Sequence, residues 1–287
     1  MNIALIGNND GPLRLARALQ SGNHRVPGIG LQKVPEELLR RYRAVLPEIP
    51  LTHTPDETAA LSWAGEIEVD LLINCFANFR FRNLHHKYDT LNVHPAPLPR
   101  YRGRHPIRWA LINGEDRFGI TLHRMTDDYD AGAIVWRGMS EVVPGSSAVE
   151  LRENLMKLLE ENFADLIDRY DRKTLEEIPN DPSRASYVTR RYPTDSRLEE
   201  WHDHRTIWRK VRALRHDANP AYLQIGKNHI VVRDARLSDR RYVGFRAGTV
   251  VERTGESITV VCGDGGCVTL DLPVGTPISI NQNLTNA

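Results

Sequence analysis

LNVHPAPLPRYRGRHPIRWALINGEDRFGITLHRMTDDYDAG, residues 91–132, decides how the rest of the chain reads. Thr90, Leu91 and Val93 predict a strand, and alternate residues of a strand face one side, so Asn92 and His94 point together into one cleft. Pro95, Pro97 and Pro99 then end the strand, because proline cannot donate to a ladder and fixes its own φ. A polar pair is thereby set at a strand's carboxyl end, followed by a basic, proline-bearing loop and, further on, by Asp130 before Gly132. An Asn amide can donate to a developing oxyanion, and a His can carry a proton near neutral pH. Asn92, His94 and Asp130 are the candidate catalytic residues, with Asp130 orienting or charging the His.

Outward from this stretch, strand and helix signals alternate. Ile3 to Gly7 reads as a strand running into Asn8, Asn9 and Asp10, with a short helix begun by Pro12 and a second strand over His24 to Leu31. The glycines do not form G-x-G-x-x-G, so no NAD site is predicted. A charged helix is expected over Lys33 to Arg43, a third strand at Leu51 to Thr54, and a strand covered on both faces at Asp70 to Phe76. Gly119 to Met125 and Ala133 to Met139 read as strands flanking the DDYDAG loop. The fold class is therefore α/β, an open, mostly parallel, Rossmann-like sheet with its site at the carboxyl edge. From Ser147 a long amphipathic helix carries Leu151, Leu155, Leu158, Leu159, Phe163, Leu166 and Ile167 on one face. A helix is expected from Thr206 to His216, and Tyr222 to Ile280 alternates apolar and polar residues between glycine turns, predicting a smaller antiparallel, barrel-like (OB-like) β-domain. The domain reading is 1–190 catalytic, 191–205 linker and 206–287 carboxyl-terminal β.

Composition narrows the function classes. A formal net charge of +1 over 287 residues argues against a surface built mainly for nucleic acid. No apolar run reaches the roughly 18 residues of a membrane span, and MNIALIGNNDG reads as a strand and turn instead of a signal peptide, so the cytoplasm is the expected compartment. Cys75, Cys262 and Cys267 are too few for a disulfide framework, and GDGG between the last two is expected as a hairpin turn, not a metal site.

Read as bare spacing, N-x-H is a weak signal, but NVHPAPLPRYRG, PIRWALINGE, GITLHRM and DDYDAG follow one another in order. This run resembles the folate-dependent formyltransferase family, which includes methionyl-tRNA formyltransferase and the nucleotide amino-sugar N-formyltransferases. RRYPTDSRLEEW and GDGGCVTLDLP extend the likeness to the domain junction and the carboxyl-terminal domain of bacterial enzymes that formylate a UDP-linked aminoarabinose. The resemblance implies the formyltransferase fold and transfer of a formyl group from the co-substrate 10-formyltetrahydrofolate to an amine, with no metal required. It assigns the oxyanion donor to Asn92, the proton shuttle to His94, and the orienting of His94 and a water to Asp130. It places the pterin against Phe79, Arg80 and Phe81 and against the segment of Thr126, Asp127 and Tyr129.

Which amine is taken is the open question. The tRNA enzymes of the family carry a basic insertion where this chain mixes Lys33, Arg40, Arg41 and Arg43 with Glu36, Glu37 and Glu48. Arg100, Arg102 and Arg104 beside the site suit the pyrophosphate of a nucleotide-linked amino sugar. A nucleotide amino sugar is the favoured partner over tRNA. A hydroxylamine siderophore precursor, a non-catalytic folate- or nucleotide-binding module, and assembly as a homodimer stay open at the sequence level.

Overall fold

A computed structural model describes residues 1–20 and 22–286; Ser21 and Ala287, which fall within the expected catalytic and carboxyl-terminal domains, lie outside the described residues. In chain order the strands are β1 Ile3–Gly7, β2 Ile29–Leu31, β3 Leu51–His53, β4 Leu71–Cys75, β5 Thr90–His94, β6 Arg102–Gly103, β7 Arg117–Arg124, β8 Ile134–Glu141, β9 Tyr187–Val188, β10 Tyr222–Ile225, β11 Asn228–Val231, β12 Asp234–Arg241, β13 Thr249–Thr254, β14 Ser257–Val261 and β15 Gly266–Asp271. The helices are α1 Gly11–Leu19, α2 Glu36–Val45, α3 Glu57–Glu66, α4 Leu84–Lys87, α5 Pro106–Asn113, α6 Ala148–Asp171 and α7 His204–Ala213.

Two compact units form. The first comprises residues 1–103, 118–140 and 153–188, and the second 104–117, 141–152 and 189–287. A seven-stranded sheet, in order β3-β2-β1-β4-β5-β7-β8, organises the first. β1 to β5 pair in parallel, and β7 returns antiparallel beside β5. β1 and β4 are buried at every residue, which is why IALIG and LLINC are near-continuous apolar runs without strand alternation. Strand order reverses between β1 and β4, the place where open α/β sheets leave a crevice at the carboxyl ends. β2 is shorter than the predicted His24 to Leu31: Pro27 interrupts its ladder, and only Ile29–Leu31 pairs with both neighbours. α3 begins where Asp56 accepts a bond from the Ala59 N–H at 2.9 Å.

In the second unit, Ser147 and Glu150 cap the start of α6 reciprocally, Ser147 N–H donating to Glu150 Oε2 at 2.7 Å and Glu150 N–H to Ser147 Oγ at 3.3 Å. α5 opens on Pro106 and closes on Gly114 at φ +78°. The carboxyl-terminal antiparallel sheet runs β12-β15-β14-β13, with β10 and β11 as a separate hairpin. GDGG is the turn between β14 and β15, and all three cysteines are buried thiols outside any disulfide. β12, DARLSDRR, departs from the apolar–polar alternation because it is mostly charged. It is an edge strand whose one fully buried residue is Ala235, and charge on such an edge opposes further pairing. Residues 191–205, expected as a linker, pack into this unit: Leu198 and Trp201 join a core with Ile207, Val250, Val268 and Leu270. The polar residues that suggested a linker are themselves bonded, Arg191 Nη2 donating to Ser196 Oγ at 2.8 Å, with both residues buried.

Candidate active site

Strand register assembles the site. Asn74 on β4 stands opposite Asn92 on β5, and Asn92 stands opposite His123 on β7, so one row crosses three strands. The hydrogen bonds follow that row. Ala77 N–H donates to Asn74 Oδ1 at 3.0 Å, Asn74 Nδ2 donates to Asn92 Oδ1 at 2.7 Å, and Asn92 Nδ2 reaches His123 Nε2 at 2.9 Å. His123 Nδ1 donates to the Arg124 carbonyl at 2.7 Å, which leaves Nε2 as the acceptor of Asn92. The Asn92 amide is thus fixed with its NH2 toward Asp130, whose Oδ1 lies 3.5 Å from Nδ2.

His94, two residues along the same strand, is buried. Its Nε2 is 2.9 Å from the Tyr101 carbonyl, an acceptor only, so the ring carries a proton there. Nδ1 is left 3.4 Å from Asp130 Oδ1. Burial pushes the His94 pKa down, and the Asp130 carboxylate partly offsets this, so the ring is neutral at neutral pH with Nδ1 as its basic atom. For Asp130, burial alone would raise the pKa; His94, His123 and the Gly103 N–H outweigh it and hold the carboxyl at about 2.

Three devices place Asp130. Its backbone is left-handed at φ +52°, Gly103 N–H donates to its Oδ2 at 2.8 Å, and Asn180 Nδ2 donates to the carbonyls of Asp130 and Gly132 at 2.8 and 2.9 Å. Gly103 itself sits at φ +106°, and a Cβ there would meet the Val188 carbonyl at 2.2 Å. Gly132 is equally confined, a Cβ meeting the Arg124 carbonyl at 2.1 Å.

Of the other residues singled out in the sequence, Phe81 is buried in a core cluster with Ile6, Trp63 and Leu84, and Phe79 packs on that cluster with its ring 4.7 Å from Phe81. Arg80 lies over the exposed Tyr129 ring at 5.2 Å, which brings the loop of Phe79 to Phe81 against the loop that starts at Thr126. Thr126 Oγ1 bonds within that loop to the Asp128 carbonyl, and the Asp127 carboxylate is taken up by His85 and His86. Arg102 departs from its expected role. Its guanidinium is buried and donates to the Asn180 carbonyl, Asn180 Oδ1 and Tyr187 Oη, so it holds the segment that holds Asp130 and is not a phosphate clamp. Arg100 is exposed beside the Tyr101 ring, and exposed Arg104 belongs to the second unit. His123, Asn74 and Asn180 escaped the sequence reading. Asn74 had one signal, a lone polar residue in the otherwise apolar LLINC strand.

A donor amide, a buried neutral imidazole and a carboxylate in mutual contact suit proton-coupled acyl transfer. Comparison with known proteins gives the same class. The formyl transferase family model matches residues 83–167, and that of the formyl transferase C-terminal domain matches residues 193–284, together more than half of the chain. The chain belongs to the formyl transferase family. Its fold is similar to that of the N-formyltransferase from Helicobacter canadensis in complex with folinic acid and dTDP-3-aminofucose, at 16% identity and a TM-score of 0.74, over 95% of this chain and 100% of that one. HypX from Aquifex aeolicus in complex with tetrahydrofolic acid matches 94% of this chain at 20% identity and a TM-score of 0.64, but the match spans only 43% of HypX. Methionyl-tRNA formyltransferase from Clostridium thermocellum matches at 14% identity and a TM-score of 0.60, over 96% and 100% of the two chains. Among the described residues no helix is long and apolar enough to cross a membrane.

Proposed function

We propose that this protein moves a formyl group from 10-formyltetrahydrofolate to the amine of a nucleotide-linked amino sugar. The observation that carries the reading is the His94 ring, its Nε2 proton committed to Tyr101 and its Nδ1 free to exchange a proton beside Asp130. The neutral amine attacks the formyl carbon, forming a C–N bond and an oxyanion. Asn92 Nδ2 donates to that oxygen by giving up its long 3.5 Å contact with Asp130. Nδ1 of His94 takes the amine's proton, Asp130 stabilises the imidazolium, and the same proton goes to the folate nitrogen as its bond to the formyl carbon breaks. The folate lies against the paired loops of Phe79 to Phe81 and Thr126 to Tyr129, in contact with their exposed parts, Arg80 and Tyr129.

The acceptor reading is supported by charge. α2 carries Glu36 and Glu37 with Arg40, Arg41 and Arg43, a mixed surface that offers little to a polyanion. The Helicobacter canadensis relative, bound to dTDP-3-aminofucose, shares the whole fold. The test is to incubate the protein and 10-formyltetrahydrofolate with a panel of nucleotide amino sugars and with initiator Met-tRNA, and to weigh the products. A mass gain of one formyl group on an amino sugar is expected; formylated Met-tRNA alone would replace the acceptor, and no formylated product would overturn the reaction.

A further inference from the structure

α4 and the loop it faces hold a second group of side chains, none of which takes part in the proton transfers of the proposed reaction. His85 and His86 turn their Nε2 atoms onto one oxygen of Asp127, at 3.1 and 3.0 Å. The two rings lie 4.1 Å apart, and His85 is 5% exposed, so the first ring is fixed by its surroundings before any ligand arrives. His86 and Asp127 are open to solvent at 59% and 74%. The three potential ligand atoms all lie within 4.8 Å of one another.

We propose that His85, His86 and Asp127 bind a divalent transition ion of the Zn2+ class. Two imidazole nitrogens and one carboxylate oxygen suit such an ion, whereas Mg2+ and Ca2+ select oxygen ligands. Bonds of about 2.0–2.2 Å in a tetrahedron set ligand atoms about 3.4 Å apart, so the two imidazole–carboxylate contacts, at 3.1 and 3.0 Å, need to spread by only a few tenths of an ångström. The open side leaves the fourth position to water. The Asp127 carboxylate contributes a negative charge that attracts the ion.

The site has a structural consequence. Asp127 stands three residues before Asp130, whose end of the loop is fixed by Gly103 and Asn180. An ion shared with α4 fastens the other end of the same loop. The second His-carboxylate group, Asp203, His204 and Asp264, is a weaker candidate because Asp203 already accepts from the N–H groups of Arg205 and Thr206 at the start of α7.

The test is titration of the full chain, free of any histidine tag, with Zn2+ by calorimetry and with Co2+ by visible absorption. One ion per chain is expected, with the intense bands of low-coordinate Co2+, a loss of affinity of at least tenfold in His86→Ala and in Asp127→Asn, and no change in His204→Ala. Both substitutions that remove ligands are on exposed side chains, and a far-UV spectrum confirms that they fold. Binding that persists unchanged in both, or no uptake of either ion at millimolar concentration, overturns the site. Amide exchange of residues 126–130 should slow on addition of Zn2+; bound Zn2+ that leaves it unchanged overturns the fastening of the loop.

Discussion

In the proposed reaction Asn92 is the oxyanion donor, and three strands are in register to hold its amide in one orientation. Asn92→Ala should lower kcat by about a hundredfold to a thousandfold, the cost of losing one oxyanion donor, with little change in far-UV spectrum. Asp130 acts on His94 through charge. Its carboxylate raises the proton affinity of a ring that burial otherwise lowers, so Asp130→Asn should shift the acid limb of kcat/KM to lower pH as well as reduce the rate. An acid limb that stays in place would remove Asp130 from this role. Stability follows the same groups with a worked sign. His94 has a lowered folded pKa, so below the unfolded value of about 6.5 the unfolded chain binds a proton that the native ring resists, and stability falls as the pH drops. Asp130, held at about 2, contributes stability that is complete above about 3.9 and is lost only as the pH falls toward 2. Urea titrations at pH 7.5 and 5.0 should therefore show a loss in the parent chain that is smaller in His94→Gln.

At the scale of elements, the pairing of β6 with β9 matters more than its two-residue length suggests. It runs Arg102 against Tyr187 and Gly103 against Val188, and it presents the Gly103 N–H to Asp130. Gly103→Ala must leave φ +106° or push the Val188 carbonyl aside, so we expect it to cost about 2 kcal/mol or more and to lower kcat with it, measured by denaturation and steady-state kinetics. Asn180→Ala removes both bonds to the Asp130 and Gly132 carbonyls and leaves Arg102 without one of its acceptors. Buried groups left unpaired cost about 1–3 kcal/mol each. Because Asn180 only positions Asp130, kcat should fall while the folate KM changes little, and a KM effect equal to the kcat effect would place Asn180 in a binding role instead. α6 was legible at this scale through its apolar stripe: its buried face includes Leu151, Leu155, Leu159, Phe163, Leu166 and Ile167, all read from spacing, whereas the short α4 and α5 were not read as helices. β12 was not legible from alternation, because edge strands keep their outward side chains in water and need no apolar alternation.

For the whole molecule, chain order and compactness part company. α5 and residues 141–152, which precede position 190, belong to the unit that also contains 189–287, and α5 packs there with α7. A chain cut near Arg191 would uncover that side of α5, with its apolar Ile107, Ala110 and Leu111, so it should unfold at lower denaturant concentration than the full chain or aggregate; equal stability would restore 1–190 as a self-sufficient domain. The near-zero net charge sets the acceptor prediction. A sugar nucleotide offers two phosphates, so acceptor affinity should fall with salt at a log-log slope of roughly one or two, against about four or more for a tRNA held by several phosphates. A slope in the higher range together with formylated Met-tRNA would change the acceptor and leave the transfer chemistry intact.

The sequence by itself determined the α/β class and the family, and it singled out Asn92, His94 and Asp130 as candidates, because all three lie in one stretch where strand alternation and proline stops are local rules and where the ordered motifs carry the family resemblance. The tertiary structure decided everything that depends on which strands become neighbours. Asn74 and His123 reach Asn92 only through the register of β4, β5 and β7, and the proton on His94 is placed by a carbonyl seven residues away that Gly103 and β9 help to position. Arg102 shows the same limit from the other side: a guanidinium beside a site looks like a phosphate ligand in one dimension, and only the fold reveals that Asn180 and Tyr187 had already taken its bonds. Local preference is written along the chain, whereas pairing between distant segments is settled by the packing of the whole core.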